Sequence, residues 1–486
     1  MAALNLQMPG NPRYQPKSLQ PFFGYDMYAR FLAEVELAAL ETLGEFGVIP
    51  AETMALLTPE VKESVLAITT TEMDRREREV TKHDIRAWVQ LAQERMEPEL
   101  ARFVHIPLTS YDVVDPARIL QFQRSYTQVV RPKLARLLHE LADKVEETAG
   151  VVQIGRTHGQ AALPVTVGFW LATILQRLLH CYMQMEFASE ALVGKISGAV
   201  GAKNAQYGLG IQLKNSRADT FETAVLERLE LIEAPISTQI LPPEPLATYL
   251  FQVLLTSAAL GQFGRDCRHL MRSEIGEVRE VRPKDAAGSS TMAHKTNPIN
   301  FENIEGRWLA SKSEFGKVLD TLISEHQRDL VGSSVVRDFP VLVINLITQI
   351  ERLLAEKDGQ PFLRRIEVNT KALQRNLSRS VHLSMAEPIY LALQIAGYTG
   401  DAHRLVADEA TPLVVDQQLR GENPDELIEM VYMIATRTGN KELQAALGRI
   451  PDTTKELLGN PSGYTGNAQE QALDVVEHVR GQIRRP

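Results

Sequence analysis

The segment Gly288-Ser289-Ser290-Thr291-Met292-Ala293-His294-Lys295-Thr296-Asn297-Pro298 concentrates residue types that can do chemistry. Ala286, Ala287, Gly288 and the two serines form a small-residue stretch between two strong helical patterns. Such a stretch can close over a ligand. Asn297 followed by Pro298 predicts a helix N-cap and first helical residue. Free amides at that helix start, with Lys295 beside them, would make an anion site. The same composition also suits a plain surface loop ahead of a capped helix, so this segment alone decides nothing.

Long helices must position it. Ile119, Phe122, Tyr126, Val130, Leu134, Leu137, Leu138, Leu141 and Val145 keep spacings of three and four. Pro132 lies inside that pattern and is expected to kink it. A second pattern runs from about Val165 to Val193 and a third from about Leu246 to Val278. A fourth starts near Pro298 and a fifth after Asp338. Helices this long bury their apolar stripes best against one another, which predicts a bundle. Alternating strand patterns are scarce. The expected fold is all-α, with three helical domains over residues 1–112, 113–364 and 365–486 and the long bundle in the middle.

The chain has 486 residues and a formal net charge of -9. An acidic balance argues against nonspecific nucleic-acid binding, which needs a basic face. It leaves room for an anionic small substrate, because a local basic cluster can outweigh the global sign. The two cysteines, Cys181 and Cys267, lie inside apolar helical patterns, as buried thiols of a reducing compartment do. No basic n-region with an apolar run opens the chain. The apolar stretch VGFWLATILQRLLH is interrupted by Gln176 and Arg177, and no run of eighteen or more apolar residues is expected to span a membrane. The expectation is a cytoplasmic protein with no metal and no cofactor, since HExxH, GxGxxG and P-loop patterns are missing.

GSSTMAHKTNP resembles the signature loop of the fumarase/aspartase superfamily, roughly GSSxMPxKxNP. Leu108-Thr109-Ser110-Tyr111-Asp112 resembles the first conserved region of that superfamily, and Gly155-Arg156-Thr157-His158-Gly159-Gln160 its second. Within it the chain looks most like the adenylosuccinate lyases. The segments that carry this are Arg13-Tyr14, Lys82-His83-Asp84, Val104-His105, Ser237-Thr238-Gln239, and Gln327-Arg328-Asp329-Leu330 with Ser333, Ser334 and Arg337.

The resemblance implies an anti elimination from a succinyl group that releases fumarate. It makes Ser289 the base, His158 the acid and Glu302 the carboxylate that orients the histidine. A serine alkoxide needs nearby positive charge and amides, which Lys295 and the loop backbone would supply. Histidine side chains titrate near neutral pH, which suits proton donation. Thr109, Ser110, Thr157, Ser290, Met292, Lys295 and Asn297 would hold the fumaryl end. Arg328, Ser333 and Arg337 would hold a nucleotide phosphate end, with Arg13, Tyr14 and His105 as lesser contacts; His83 would assist the acid or contact the phosphate, and Asp84 and Gln239 are further substrate contacts. The implied assembly is a homotetramer whose sites are shared between subunits.

The loop carries Ala293 where the family usually has proline, and Pro107 replaces a usual glycine. Ile240-Leu241-Pro242-Pro243-Glu244-Pro245 stands where many adenylosuccinate lyases carry basic residues. These departures bear on the substrate and leave the elimination residues intact. Alternatives are a superfamily lyase for argininosuccinate or a cyclised carboxymuconate, and a non-catalytic structural relative.

Overall fold

The computed structural model describes residues 8, 9, 11, 14–211, 220–281, 292, 295–422 and 424–484. The fold is all-α. Strands occur only as two-stranded pairs among the described residues. We number the elements used below in chain order. They are α1 (Met27–Glu45), α2 (Asp84–Gln93), α3 (Ser110–Ser125), α4 (Arg131–Thr148), β1 (Val152–Thr157), β2 (Gln160–Thr166) and α5 (Val167–Glu190). Then come α6 (Glu244–Leu270), β3 (Val278–Arg279), α7 (Ile299–Asp320), α8 (Pro340–Leu353), β4 (Glu367–Val368), α9 (Thr370–Ser384) and α10 (Ala468–Gln482).

The interruption expected at Pro132 takes the form of a widened π turn, Tyr126–Val130, that joins α3 to α4. Proline lacks the amide that would close an ordinary turn, and its ring crowds the preceding one. The third pattern ends sooner than its apolar spacing suggests. Helix α6 stops at Leu270, and Val278 belongs to β3, paired with β4.

Helix α6 is the axis of the bundle, packed against α5, α7 and α8. Its glycines explain how closely α7 approaches. A Cβ on Gly261 would meet Trp308 Cβ at 2.7 Å, and one on Gly264 would meet the Phe301 carbonyl at 2.9 Å. Tyr249 on the same helix is fully buried, edge-on to Phe122 and Tyr126 at 6.1 and 6.0 Å between ring centroids. Two helical stretches are long and apolar enough to cross a membrane by length and composition, Glu244–Leu270 and Val331–Leu353. Both feed the core, through Tyr249, Leu250, Val253 and Phe263 and through Leu342, Val343, Leu346 and Ile350.

One apolar core runs from Met8 to Leu373 and takes in the last helix, α10, through Ala472, Val476 and Val479. A second, smaller core lies between Met385 and Leu458. Arg480 on α10 clasps Asp143 and Glu146 of α4.

Ahead of α3 the chain is tied to α1. The buried Glu36 carboxylate accepts the His105 amide at 3.1 Å and meets His105 Nδ1 at 2.6 Å. His105 is thereby committed to an internal partner. Burial favours the neutral ring, but the hydrogen bond and charge of Glu36 outweigh it and hold the pKa above its ordinary value.

Two outcomes follow from this packing. Gly261→Ala should destabilise the chain by about 1–3 kcal/mol, because the new methyl group has no room beside Trp308; a urea midpoint equal to wild type would refute the close-packing argument. Glu36→Gln should lower the His105 titration midpoint, read by histidine NMR. A raised folded pKa adds stability that is full below the unfolded pKa and is lost as pH rises through the folded one. The variant should therefore lose more stability in mildly acid than in mildly alkaline buffer, and an equal loss in both would show that His105 gains nothing from Glu36.

Candidate active site

The Thr-Ser motif is set by a buried carboxylate. Asp112 is fully buried and accepts Lys195 Nζ at 2.6 Å and the amides of Ser197 and Gly198 at 3.0 and 3.1 Å. It also reaches back to the Thr109 amide at 2.8 Å, capping α3. Lys195 is equally buried, so each charge requires the other. Thr109 and Ser110 thus stand half-buried at a fixed helix start.

Ser110 opens into a cleft of about 860 Å³ that also takes in His83, Asp84, Tyr111, Arg328, Ser333 and Arg337. The Arg328 guanidinium stacks 3.6 Å from the Tyr111 ring centroid and donates to Gln239 Oε1 at 2.6 Å. The Tyr111 hydroxyl meets Ser333 Oγ at 3.0 Å. Gln239 is held in turn, its side-chain amide on the Ala199 carbonyl at 2.8 Å. Segments far apart in sequence therefore bring Ser110, Gln239, Arg328, Ser333 and Arg337 to one place. A guanidinium fork and hydroxyls are donors that suit a phosphate or carboxylate. His83 caps α2, accepting the Arg86 amide at Nδ1, and it is exposed beside Asp84.

The second motif is a hairpin. His158 and Gly159 both have positive φ, 54° and 77°, and form its two-residue turn between β1 and β2. That pattern is a type I′ turn, whose twist matches paired strands. Thr157 and His158 are exposed at the tip. The register slips between Ile154 and Arg156, and a Cβ on Gly155 would meet the Leu163 carbonyl at 2.8 Å. This bulge aims Arg156 inward, where it forks onto the fully buried Glu277 at 2.6 and 3.0 Å.

The start of α7 differs from expectation. The helix begins at Ile299, with Pro298 rather than Asn297 at the N-cap position and no side-chain cap from either. Glu280 fills the role, its Oε1 accepting the Asn300 and Phe301 amides at 2.9 and 3.1 Å. Part of the predicted anion site is therefore occupied by the chain's own carboxylate. Burial pushes Glu280 above the usual carboxylate range, aided by the charge of nearby Glu302. Lys295, Met292 and Glu302 are exposed here, and Asn297 is half-buried. Ser289, Ser290 and Arg13 lie outside the described residues. Tyr14 is exposed and lines neither this cleft nor the smaller cavity beside it.

Among the described residues no hydrogen bond joins His158 to Glu302 or Lys295. Neither the hairpin tip nor the start of α7 contributes to the cleft lining. Tyr111 and Arg118 also line the cleft without having been singled out from sequence. Tyr111 sat inside a quoted motif, while Arg118 carries no local signal beyond its place on the face of α3 shared with Asp115.

A family model described as lyase matches residues 61–309. Adenylosuccinate lyase of Pyrococcus horikoshii is 30% identical over 97% of this chain and 98% of its own length. That of Archaeoglobus fulgidus is 29% identical over 96% of this chain and 97% of its own. A crystal structure of fumarate lyase from Mesorhizobium sp. BNC1 superposes with a TM-score of 0.77, covering 96% of this chain and 98% of the other at 21% identity, so it shares the fold. With half of the chain inside the family model and full-length relatives at this identity, the chain belongs to the lyase family of the fumarase/aspartase superfamily.

Proposed function

We propose that this lyase eliminates fumarate from adenylosuccinate, and from succinyl-aminoimidazole carboxamide ribotide, in purine nucleotide synthesis. The observation that carries the proposal is the meeting of Arg328, Ser333 and Arg337 in the cleft beside Ser110, with Gln239 bonded to Arg328. These are the residues whose pattern resembles the phosphate end of the adenylosuccinate lyases. In the proposed reaction Ser289 takes the proton from the carbon beside one carboxylate. The electron pair left there forms the new double bond, the carbon–nitrogen bond breaks, and His158 protonates the leaving nitrogen. Lys295 and the loop amides stabilise the extra negative charge, and Glu302 orients His158. Thr109, Ser110 and Asn297 hold the carboxylates by donating hydrogen bonds.

The proposal includes a cytoplasmic homotetramer with shared sites. Thr109 and His158 flank the helical path from Ser110 to Thr148, which at about 1.5 Å per residue separates them by tens of ångströms. They can meet at one site only if different chains supply them. Exposed Phe187, Phe251, Leu309, Leu319 and Ile323 on and beside the long helices α5, α6 and α7 give such an assembly apolar surface to bury.

Purified protein should release fumarate from adenylosuccinate, followed by absorbance. Ser289→Ala should lose roughly 100- to 10,000-fold in rate while still binding substrate. Arg337→Ala should weaken nucleotide binding by about 1.5–3 kcal/mol and leave fumarate binding near normal. Absence of fumarate release by wild type would overturn the substrate, and normal turnover by Ser289→Ala would overturn the base.

The shared site has its own test. Ser289→Ala and His158→Ala proteins, each nearly inactive, should regain activity when their subunits are exchanged. Equal mixing should restore roughly one site in four by independent choice of chain under closed symmetry. Verified exchange without recovery would place both residues in one chain.

A further inference from the structure

Glu277 is buried to 0% exposure between the end of α6 and the segment that carries Ser289. Its carboxylate is saturated. Oε1 accepts Arg156 Nη2 at 2.6 Å and Asn376 Nδ2 at 2.8 Å. Oε2 accepts Gln153 Nε2 at 2.8 Å and Arg156 Nη1 at 3.0 Å. These donors fill the acceptor sites a carboxylate offers. The backbone of Glu277 is also fixed, its amide on the Leu270 carbonyl and its carbonyl accepting the Asn369 amide, both at 2.9 Å. The next two residues form β3, paired with β4. Asn376 and Arg375 of α9 hold the Ile275 carbonyl from the other side, both at 2.8 Å.

Three elements therefore converge on one side chain: the hairpin of His158, the strand entering the Ser289 segment, and helix α9. The hairpin tip itself is exposed and is only two residues from Arg156. The direction of His158 is thus set two residues short of the tip, by a bidentate pair whose planar geometry leaves little rotational freedom.

We infer that Glu277 is a positioning residue for the elimination, fixing from one carboxylate both the His158 hairpin and the strand that leads into the Ser289 segment. This rests on the reading of His158 and Ser289 as acid and base. A glutamine at this place cannot accept at both ends. Its side-chain NH2 would face the donors of Arg156 or Gln153, and the hairpin would swing away from residue 277. A small misplacement of an acid group is enough to lower turnover by about 100-fold.

The test compares wild type with Glu277→Gln and Arg156→Lys as full-length oligomers. Hydrogen exchange by mass spectrometry should quicken over residues 152–166 and 275–281 and stay unchanged over Glu244–Leu270. Turnover of adenylosuccinate should fall about 100-fold in kcat with KM nearly constant. Arg156→Lys keeps the charge, loses the fork and serves if Glu277→Gln does not fold. Unchanged hairpin exchange would overturn the inference. So would a loosened hairpin with normal kcat, or a defect confined to KM. A wild type inert toward adenylosuccinate would sink the substrate assignment alone, and the exchange measurement would still decide whether Glu277 holds the hairpin.

Discussion

The close approach of α6 and α7 at Gly261 and Gly264 is the constraint from which the rest of the arrangement follows. Without a Cβ on either glycine, the two helices pack backbone against side chain, and α5 and α8 close around the same axis. This makes α6 a rigid strut of 27 residues, about 40 Å long at the usual rise. Its first turn follows Leu241, whose amide donates to Asp115 of α3 near the cleft. Its last turn leads to Glu277 and the hairpin. The strut thus keeps the cleft residues, proposed above to hold the phosphate, and the hairpin of His158 at its opposite ends. Elimination requires acid, base and carboxylate donors within hydrogen-bond reach of one substrate. A single rigid strut cannot supply that, and this is the physical argument for sites built from several chains.

Buried and half-buried carboxylates do for the motifs what apolar stripes do for the helices. Asp112 holds the Thr-Ser turn, Glu277 holds the hairpin, and Glu280 caps the helix that follows the signature loop. Turns and hairpin tips present few apolar atoms, so packing cannot fix them to fractions of an ångström. A carboxylate with several directed donors can, because each donor specifies a direction as well as a distance. The arrangement is expensive to disturb. Losing Lys195 or Arg156 would leave a buried charge without its partner, which typically costs about 3–5 kcal/mol.

How much was legible in the sequence depended on whether the signal was local. The long helices were, because apolar spacing of three and four repeats over many turns. Pro132 announced a break, and the structure answers with a π turn. The hairpin was not legible: its Gly155-to-Gln160 stretch is short, polar and bulged, and only the positive φ of His158 and Gly159 makes it a turn. The Asn-Pro pair read as a helix start within one residue, but Glu280, brought in from outside the helix, takes the capping role. Glu277 and Arg118 carried no sequence signal, since their partners are distant along the chain. The gathering of Arg328, Ser333 and Gln239 was implied by resemblance, and no spacing rule could have placed Tyr111 between them.

The departure at Ile240 to Pro245 acquires a physical meaning in this setting. Ile240, Leu241, Pro242 and Pro243 wall a cavity of about 110 Å³ next to the cleft, and Tyr111, Arg118, Arg328 and Ser333 line both spaces. Basic residues on that wall would add to the positive charge facing a phosphate; these apolar ones do not. Arg118 does not replace them in full, because Asp115 lies 3.3 Å from its guanidinium. Burial raises the Asp115 carboxyl above its ordinary range, against the pull of Arg118. Two guanidiniums, Arg328 and Arg337, are left to face an anion from the cleft side. Arg328 is already stacked on Tyr111 and bonded to Gln239, which fixes its plane before any ligand arrives. Preorganisation of that kind reduces the ordering cost of binding. On the proposed function, it is how a site with fewer cations would still hold a doubly charged group.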